Sequence, residues 1–236
     1  MLDAHIALEG EVGSVAHGLG LPTSDHDLMR VEVETLDSLI GLSPVPSTQR
    51  IRPRLEGEKS QQDDIEITVY PVRKYLSLAM DGNPNVIPLM WTSNITYKDR
   101  YNLRSLRTEF ITKKLAYAHL GFANNMLMRL EGTKAPRVNR EELVDEHGYD
   151  TKSAYHAVRV LTQALELAVD QYMPMPMRPH NVDKIMRIRS GEAPVEEVKY
   201  EIKRISEVLK SASVDLPETT DVDTVNQWLF ELYGVI

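Results

Sequence analysis

Val12-Gly13-Ser14, then ten residues, then Asp25-His26-Asp27-Leu28: a Gly-Ser turn followed at short range by two alternating acids. Glycine lets backbone amides come close to a phosphate. A strand that follows projects residues i and i+2, here Asp25 and Asp27, toward one face. Two carboxylates so placed can share Mg²⁺, which takes oxygen ligands. The layout therefore suits a nucleoside triphosphate with its metal ions. Gly-Ser dipeptides and Asp-x-Asp triplets are individually common and ordinarily mark a turn and a solvated strand; their order and spacing carry the reading.

On either side of this stretch the pattern is that of short strands. His5 to Val12 has apolar Ile6, Leu8 and Val12 on one parity and suits a strand running into the turn; a second strand is predicted over about Asp25 to Val33. Ala16 to Ser24, Gly-rich and closed by Pro22, reads as a helical turn and a loop. Leu42 to Gln62 is polar and Pro-rich, with Arg50, Arg52 and Arg54 alternating: a lid-like loop or an edge strand. Ile65 to Tyr70 alternates strictly, with Ile65, Ile67 and Val69 against Glu66, Thr68 and Tyr70, and Pro71 suits the first turn of a helix ending near Gly82. If these strands are neighbours, Glu66 joins Asp25 and Asp27 as the third acid of a two-metal site and orients or deprotonates the attacking hydroxyl. Asp64, on the same parity, is the alternative.

Beyond Asn83-Pro84 the character turns helical. In Leu103 to Leu130, Ile111, Leu115, Ala118, Phe122 and Met126 recur at helical spacing opposite Lys113, Tyr117 and Asn124, and this helix is expected to cover the sheet. Further helices are predicted at about Thr151 to Gln171, Pro194 to Ser211 and Val222 to Tyr233, the last capped by Asp221. The run Met173-Pro174-Met175-Pro176 reads as a connector. In the first of these three helices Lys152, His156 and Arg159, with Gln163, form a row opposite Ala154, Val158, Leu161 and Leu165. Such a row is either an ordinary solvated face or a clamp for triphosphate oxygens, to which Arg offers a planar fork and Lys a compact charge.

Composition limits the alternatives. The 236 residues, 42% of them apolar, suffice for one elaborated domain or two small ones. A net charge of −8 supplies no general attraction to polyanions, so nucleic-acid contact would need a local basic patch such as Arg50 to Arg54. Absence of cysteine excludes disulfides, thiolate zinc sites and a cysteine nucleophile. No long apolar run occurs, and the first residues carry Asp3, Glu9 and Glu11, so the chain reads as cytoplasmic. His5, His26, His119, His147 and His180 show no metal-ligand spacing.

Val12-Gly13-Ser14 with Asp25-His26-Asp27-Leu28 and Glu66 resembles the signature of the DNA polymerase beta-like nucleotidyltransferase superfamily. More narrowly, Gly13 to Leu19, Arg73-Lys74-Tyr75-Leu76, Gly82-Asn83-Pro84-Asn85, Lys152 to Leu161 and Ile188-Arg189-Ser190-Gly191 are similar to a bacterial and phage branch of predicted nucleotidyltransferases, so the likeness spans nearly the whole chain. The resemblance implies an α+β fold: a small mixed β-sheet palm flanked by helices over 1–100, followed by a helical domain over 101–236 that closes over the nucleotide. It implies Mg²⁺-dependent transfer, with Mn²⁺ as a substitute, of a nucleoside monophosphate from a triphosphate, ATP by default, to an acceptor hydroxyl on RNA, protein or a small molecule. Gly13 and Ser14 would hold phosphates, with Lys152, His156 and Arg159 as further nucleotide contacts. Asp25, Asp27 and Glu66 would be the catalytic and metal-binding acids. Two departures stand out: the branch more often has Asp where this chain has Glu66, and Pro88 replaces an acid. The alternative expectation is a catalytically inactive nucleotide-binding regulatory protein.

Overall fold

The computed structural model describes residues 5–44, 46–53, 64–135 and 140–234. Within them the chain forms two compact units, one of residues 1–81, 85–110 and 220–236 and the other of residues 82–84 and 111–219.

The first unit is built on a five-stranded mixed sheet. Its strands are β1 (Ile6–Glu11), β2 (His26–Glu32), β3 (Gln49–Ile51), β4 (Ile65–Pro71) and β5 (Ile95–Tyr97), in the order β3-β4-β2-β1-β5. β2 runs parallel to β4, with Asp27 opposite Glu66; the remaining pairs are antiparallel. β1 is buried along its whole length, so it lies at the heart of the unit rather than with one face in water. A short helix, α1 (Leu36–Leu39), is capped by Thr35, whose hydroxyl accepts from the Ser38 amide.

Helix α2 (Val72–Met80) follows β4 directly and lays Val72, Tyr75, Leu76 and Ala79 into the core. Pro71 stands at its N-cap position and offers no side-chain acceptor. Glu34 does so from a distance, its carboxylate accepting from the Val72 amide at 3.1 Å and from the Tyr233 hydroxyl at 2.9 Å. Two 3₁₀ helices (Ile87–Met90 and Leu103–Phe110) complete the packing. The last helix, α8 (Val222–Leu232), begins at Asp221 as expected and belongs with the sheet, where Trp228 Nε1 donates to the Tyr101 carbonyl at 3.0 Å.

The second unit is helical: α3 (Lys113–Leu130), α4 (Glu141–His147), α5 (Thr151–Asp170), α6 (Pro179–Arg189) and α7 (Val195–Ala212). α5 is its axis, packed by α3, α6 and α7. The single helix expected over Leu103 to Leu130 is divided: Thr112 ends the 3₁₀ turn and caps α3 by accepting from the Leu115 amide at 3.2 Å. α3 buries Leu115, Ala116, His119, Ala123 and Leu127, a stripe rotated from the predicted one. Its packing is chiefly on α5 and α7 rather than over a sheet. Between α5 and α6, Met173, Met175 and Met177 are buried, so the Met-Pro connector is also a packing element.

Candidate functional site

The acids of the first unit are set by strand register. Asp27 in β2 and Glu66 in β4 are paired residues of neighbouring parallel strands, so their side chains leave the same face of the sheet about 4.8 Å apart at the backbone. Asp25 stands two residues before Asp27 on the same parity, where β2 begins. The His26 amide, donating to the Asp64 carbonyl at 2.9 Å, continues the ladder to this point.

The Gly-Ser turn meets these acids. The Val12 amide donates to the Asp27 carbonyl at 2.9 Å. Gly13 then passes so close to the Asp27 side chain that a Cβ there would sit 2.3 Å from Oδ2, which only glycine permits. Ser14 Oγ is 3.4 Å from Ser24 Oγ, and the Leu19 amide donates to the Ser14 carbonyl, so the loop folds back on itself between the turn and β2. The Gly-Ser turn and the Asp27 carboxylate thus stand side by side.

Glu66 departs from the expectation in its surroundings. The apolar parity of β4 predicts an inward Ile65 and an outward Glu66, yet Ile65 is 52% exposed and Glu66 3%. The reason is the neighbouring edge strand. β3 pairs antiparallel with β4, Arg50 opposite Thr68, which brings Arg50 and Arg52 to the face that bears Glu66. Arg52 Nε donates to Glu66 Oε1 at 2.8 Å, and Arg50 Nη2 donates to Oε2. Two guanidiniums, one on each oxygen, make burial of this carboxylate affordable. Among the described residues no group of three acids or histidines stands close enough to hold a metal ion. Asp25, Asp27 and Glu66 suit Mg²⁺ in kind, as hard oxygen donors on one face of the sheet, but not as they are placed, with both Glu66 oxygens held by arginines. Asp64 is half-buried at the start of β4. The lid-like stretch expected over Leu42 to Gln62 forms β3 in part, and 54–63, with Arg54, lies outside the described residues.

On the opposite faces and ends of the sheet, other polar groups serve structure. His26 Nδ1 lies 2.5 Å from Glu11 Oε1, which explains a histidine between the two aspartates. A cavity of about 340 Å³ opens at the other end of β2 and β4, lined by Glu32, Glu34, Thr35, Ser38 and Val69 among others, away from Asp27.

In the second unit the row on α5 is not a solvated face. Lys152 is exposed, but Arg159 is only 8% exposed and Gln163 and Glu166 are buried. Arg159 Nη1 donates to Gln163 Oε1 at 3.0 Å, and burial pulls its guanidinium down to about 10, which leaves it charged at neutral pH. His156 differs: burial, then the charges of Arg159 and Lys152, push its imidazole down to about 2. It is therefore neutral at neutral pH, so the countercharge of the row comes from Lys152 and Arg159. Lys113 pairs with Glu218 at 2.6 Å, and Tyr117 is exposed.

The sequence reading missed the Arg50–Glu66–Arg52 arrangement. Its signal was present in the alternation of Arg50 and Arg52 opposite a strand whose polar parity holds an acid. It also missed Glu34 as a remote cap.

The mixed sheet, with helices on it and acids on adjacent strands, agrees with the α+β nucleotidyltransferase architecture that the resemblance implied. Residues 2–231 match RlaP, the RNA repair pathway DNA polymerase beta family, and the chain belongs to that family. No curated protein matches it. Among solved structures it is similar to a nucleotidyltransferase-like protein from Exiguobacterium sibiricum 255-15, at 10% identity over 99% of this chain and 75% of the other, with a TM-score of 0.33. Among the described residues no helix is long and apolar enough to cross a membrane.

Proposed function

We propose that the protein is a divalent-metal-dependent nucleotidyltransferase that moves a nucleoside monophosphate from a triphosphate to a hydroxyl at an RNA end. The observation that carries this reading is the register Asp27 opposite Glu66 with Gly13 seated against the Asp27 carboxylate. Family membership supports nucleotidyl transfer in general, and the family's description, an RNA repair pathway, favours RNA over protein or a small molecule as the acceptor.

In this reading the Gly13 and Ser14 backbone holds phosphate oxygens, Asp25 and Asp27 hold the cations, and Glu66 faces the attacking hydroxyl. Bound Mg²⁺ would neutralise triphosphate charge and steady the departing pyrophosphate. The acceptor oxygen forms its bond to the α-phosphorus as the bond from that phosphorus to the bridging oxygen breaks. Pyrophosphate leaves with the electron pair, and the hydroxyl proton passes to Glu66. ATP is the default donor.

The test is incubation of the chain with each α-³²P-labelled triphosphate, Mg²⁺ and a cell lysate, then separation of labelled RNA, protein and small molecules. Label in RNA that is lost in Asp25→Ala and Asp27→Ala, with both variants folded, is the expected result. One observation favours a second reading, a nucleotide-binding regulator without chemistry: the hold of Arg50 and Arg52 on Glu66. Triphosphate binding with no labelled product from any fraction would select it.

A further inference from the structure

The strand that leads into the Gly-Ser turn is irregularly paired on both sides. β1 shifts register against β2 between Ile6 and Leu8, and against β5 between Glu9 and Gly10. A strand end between two such ladders is not fixed by backbone pairing alone. At that end stands Glu11, only 6% exposed, a carboxylate that burial by itself disfavours. Each of its oxygens holds a neighbour: His26 Nδ1 lies 2.5 Å from Oε1, and Asn94 Nδ2 donates to Oε2 at 2.8 Å. The Glu11 amide also donates to the Asn94 carbonyl at 2.9 Å. Gly10 permits that approach, since a Cβ there would sit 3.0 Å from the same carbonyl oxygen. Glu11 is thereby tied to the start of β2 on one side and to the chain entering β5 on the other.

These ties reach the site through two residues of chain. Val12, next to Glu11, donates to the Asp27 carbonyl at 2.9 Å, and Gly13 follows against the Asp27 carboxylate. His26 alternates with Asp25 and Asp27 along the chain, so the clamp on Glu11 lies on the face behind the two aspartates. We propose that Glu11 is a positioning residue for triphosphate binding: by holding His26 and Asn94 together it sets where the Gly13-Ser14 turn stands against Asp27. This rests on the functional reading above, in which that turn receives phosphate oxygens. Directional, charge-assisted bonds suit the task, because an apolar contact at the same place would leave β1 free to slide along its irregular ladders. The histidine between the two aspartates thus has a part in the site without touching the ligand.

Binding of each α,β-methylene ribonucleoside triphosphate to the full chain in Mg²⁺ is measured by calorimetry, without turnover, beside urea melts of the same variants. Glu11→Ala should bind the analogue about tenfold weaker while folded. Glu11→Gln, which keeps an acceptor for Asn94 and a polar partner for His26, should stay within about twofold of the wild type. A purely structural role would lower the urea midpoint and leave the affinity of the folded protein where it was. Because the clamp acts through the turn, its loss should add little once the turn is displaced, so Glu11→Ala with Gly13→Ala should bind within about twofold of Gly13→Ala alone. If Glu11→Ala does not fold by circular dichroism, His26→Ala and Asn94→Ala, each freeing one carboxylate oxygen, should each weaken binding by about threefold. Wild-type affinity in a folded Glu11→Ala, or in both of the single-tether variants, overturns the positioning role, as do losses that multiply in the double variant. Wild-type protein that binds none of the analogues would sink the functional reading and this role together, whereas wild-type binding matched by the Glu11 variant sinks only the role.

Discussion

Gly13 is the residue on which the site's geometry turns. Its Cα lies against the Asp27 carboxylate, so a methyl group there must push either the loop or the acid. Gly13→Ala is expected to lower nucleotidyl transfer by about a hundredfold, the cost of misplacing a reacting group by roughly 1 Å. It should also cost about 1–3 kcal/mol of stability from the steric conflict. Steady-state kinetics beside a thermal melt checks both. The turn at Gly13 and the shared parity of Asp25 and Asp27 were legible in the sequence because a turn and an i, i+2 pair are local features. The state of Glu66 was not: the alternation of Ile65 to Tyr70 tells which residues share a face, but not that two arginines from a third strand would bury the polar one. Hydrophobic parity marks the inward side only where the polar side lacks partners.

Among the elements, α3 and α5 show how buried titrating groups set the pH response. His119 on α3 is buried, its Nδ1 2.8 Å from the Leu115 carbonyl oxygen, and burial together with Arg159 pushes its imidazole down to about 4 from 6.5. Above pH 6.5 it is neutral whether folded or unfolded. As pH falls from 6.5 toward 4 the unfolded chain takes the proton first, so this group's contribution to stability is lost over that window. Glu166 on α5 works in the opposite sense. Burial raises its carboxyl to about 7 against the pull of Arg178, so its contribution is lost as pH rises from 4.5 through 7. Urea melts between pH 5 and 8 check the pair: His119→Gln should flatten the acid-side loss, and Glu166→Gln should gain on the wild type as pH rises. Helices α5, α7 and α8 were readable from their period, and α8 also from its cap, Asp221; the cap of α5, Asp150, was not foreseen. The division at Thr112 was written in a cap residue that the run of apolar positions concealed. Helix α6, with Pro179 in its first turn, was passed over because its pattern is short and interrupted by charge.

Across the whole molecule, sequence order and spatial order part company at the end of the chain. α8 follows the helical unit in sequence but is tied to the sheet unit through Trp228 to Tyr101 and Tyr233 to Glu34. Bonds between residues more than a hundred positions apart leave no trace in periodicity, which is why a plain division at residue 100 was the natural reading. Trp228→Ala is accordingly expected to destabilise the sheet unit by about 3 kcal/mol, read as a lower urea midpoint for that unit. The charge of the chain was equally legible, while the placement of Arg50 and Arg52 beside Glu66 required the register of β3 on β4. The proposed function depends on one face at the start of β2 and β4, where Asp25, Asp27 and Glu66 would hold divalent cations. Crystals grown with Mn²⁺ and a non-hydrolysable triphosphate, measured at the manganese absorption edge, should give an anomalous peak between the Asp25 and Asp27 carboxylates. An anomalous map with no peak at those side chains, in crystals where the triphosphate is bound, would contradict the account.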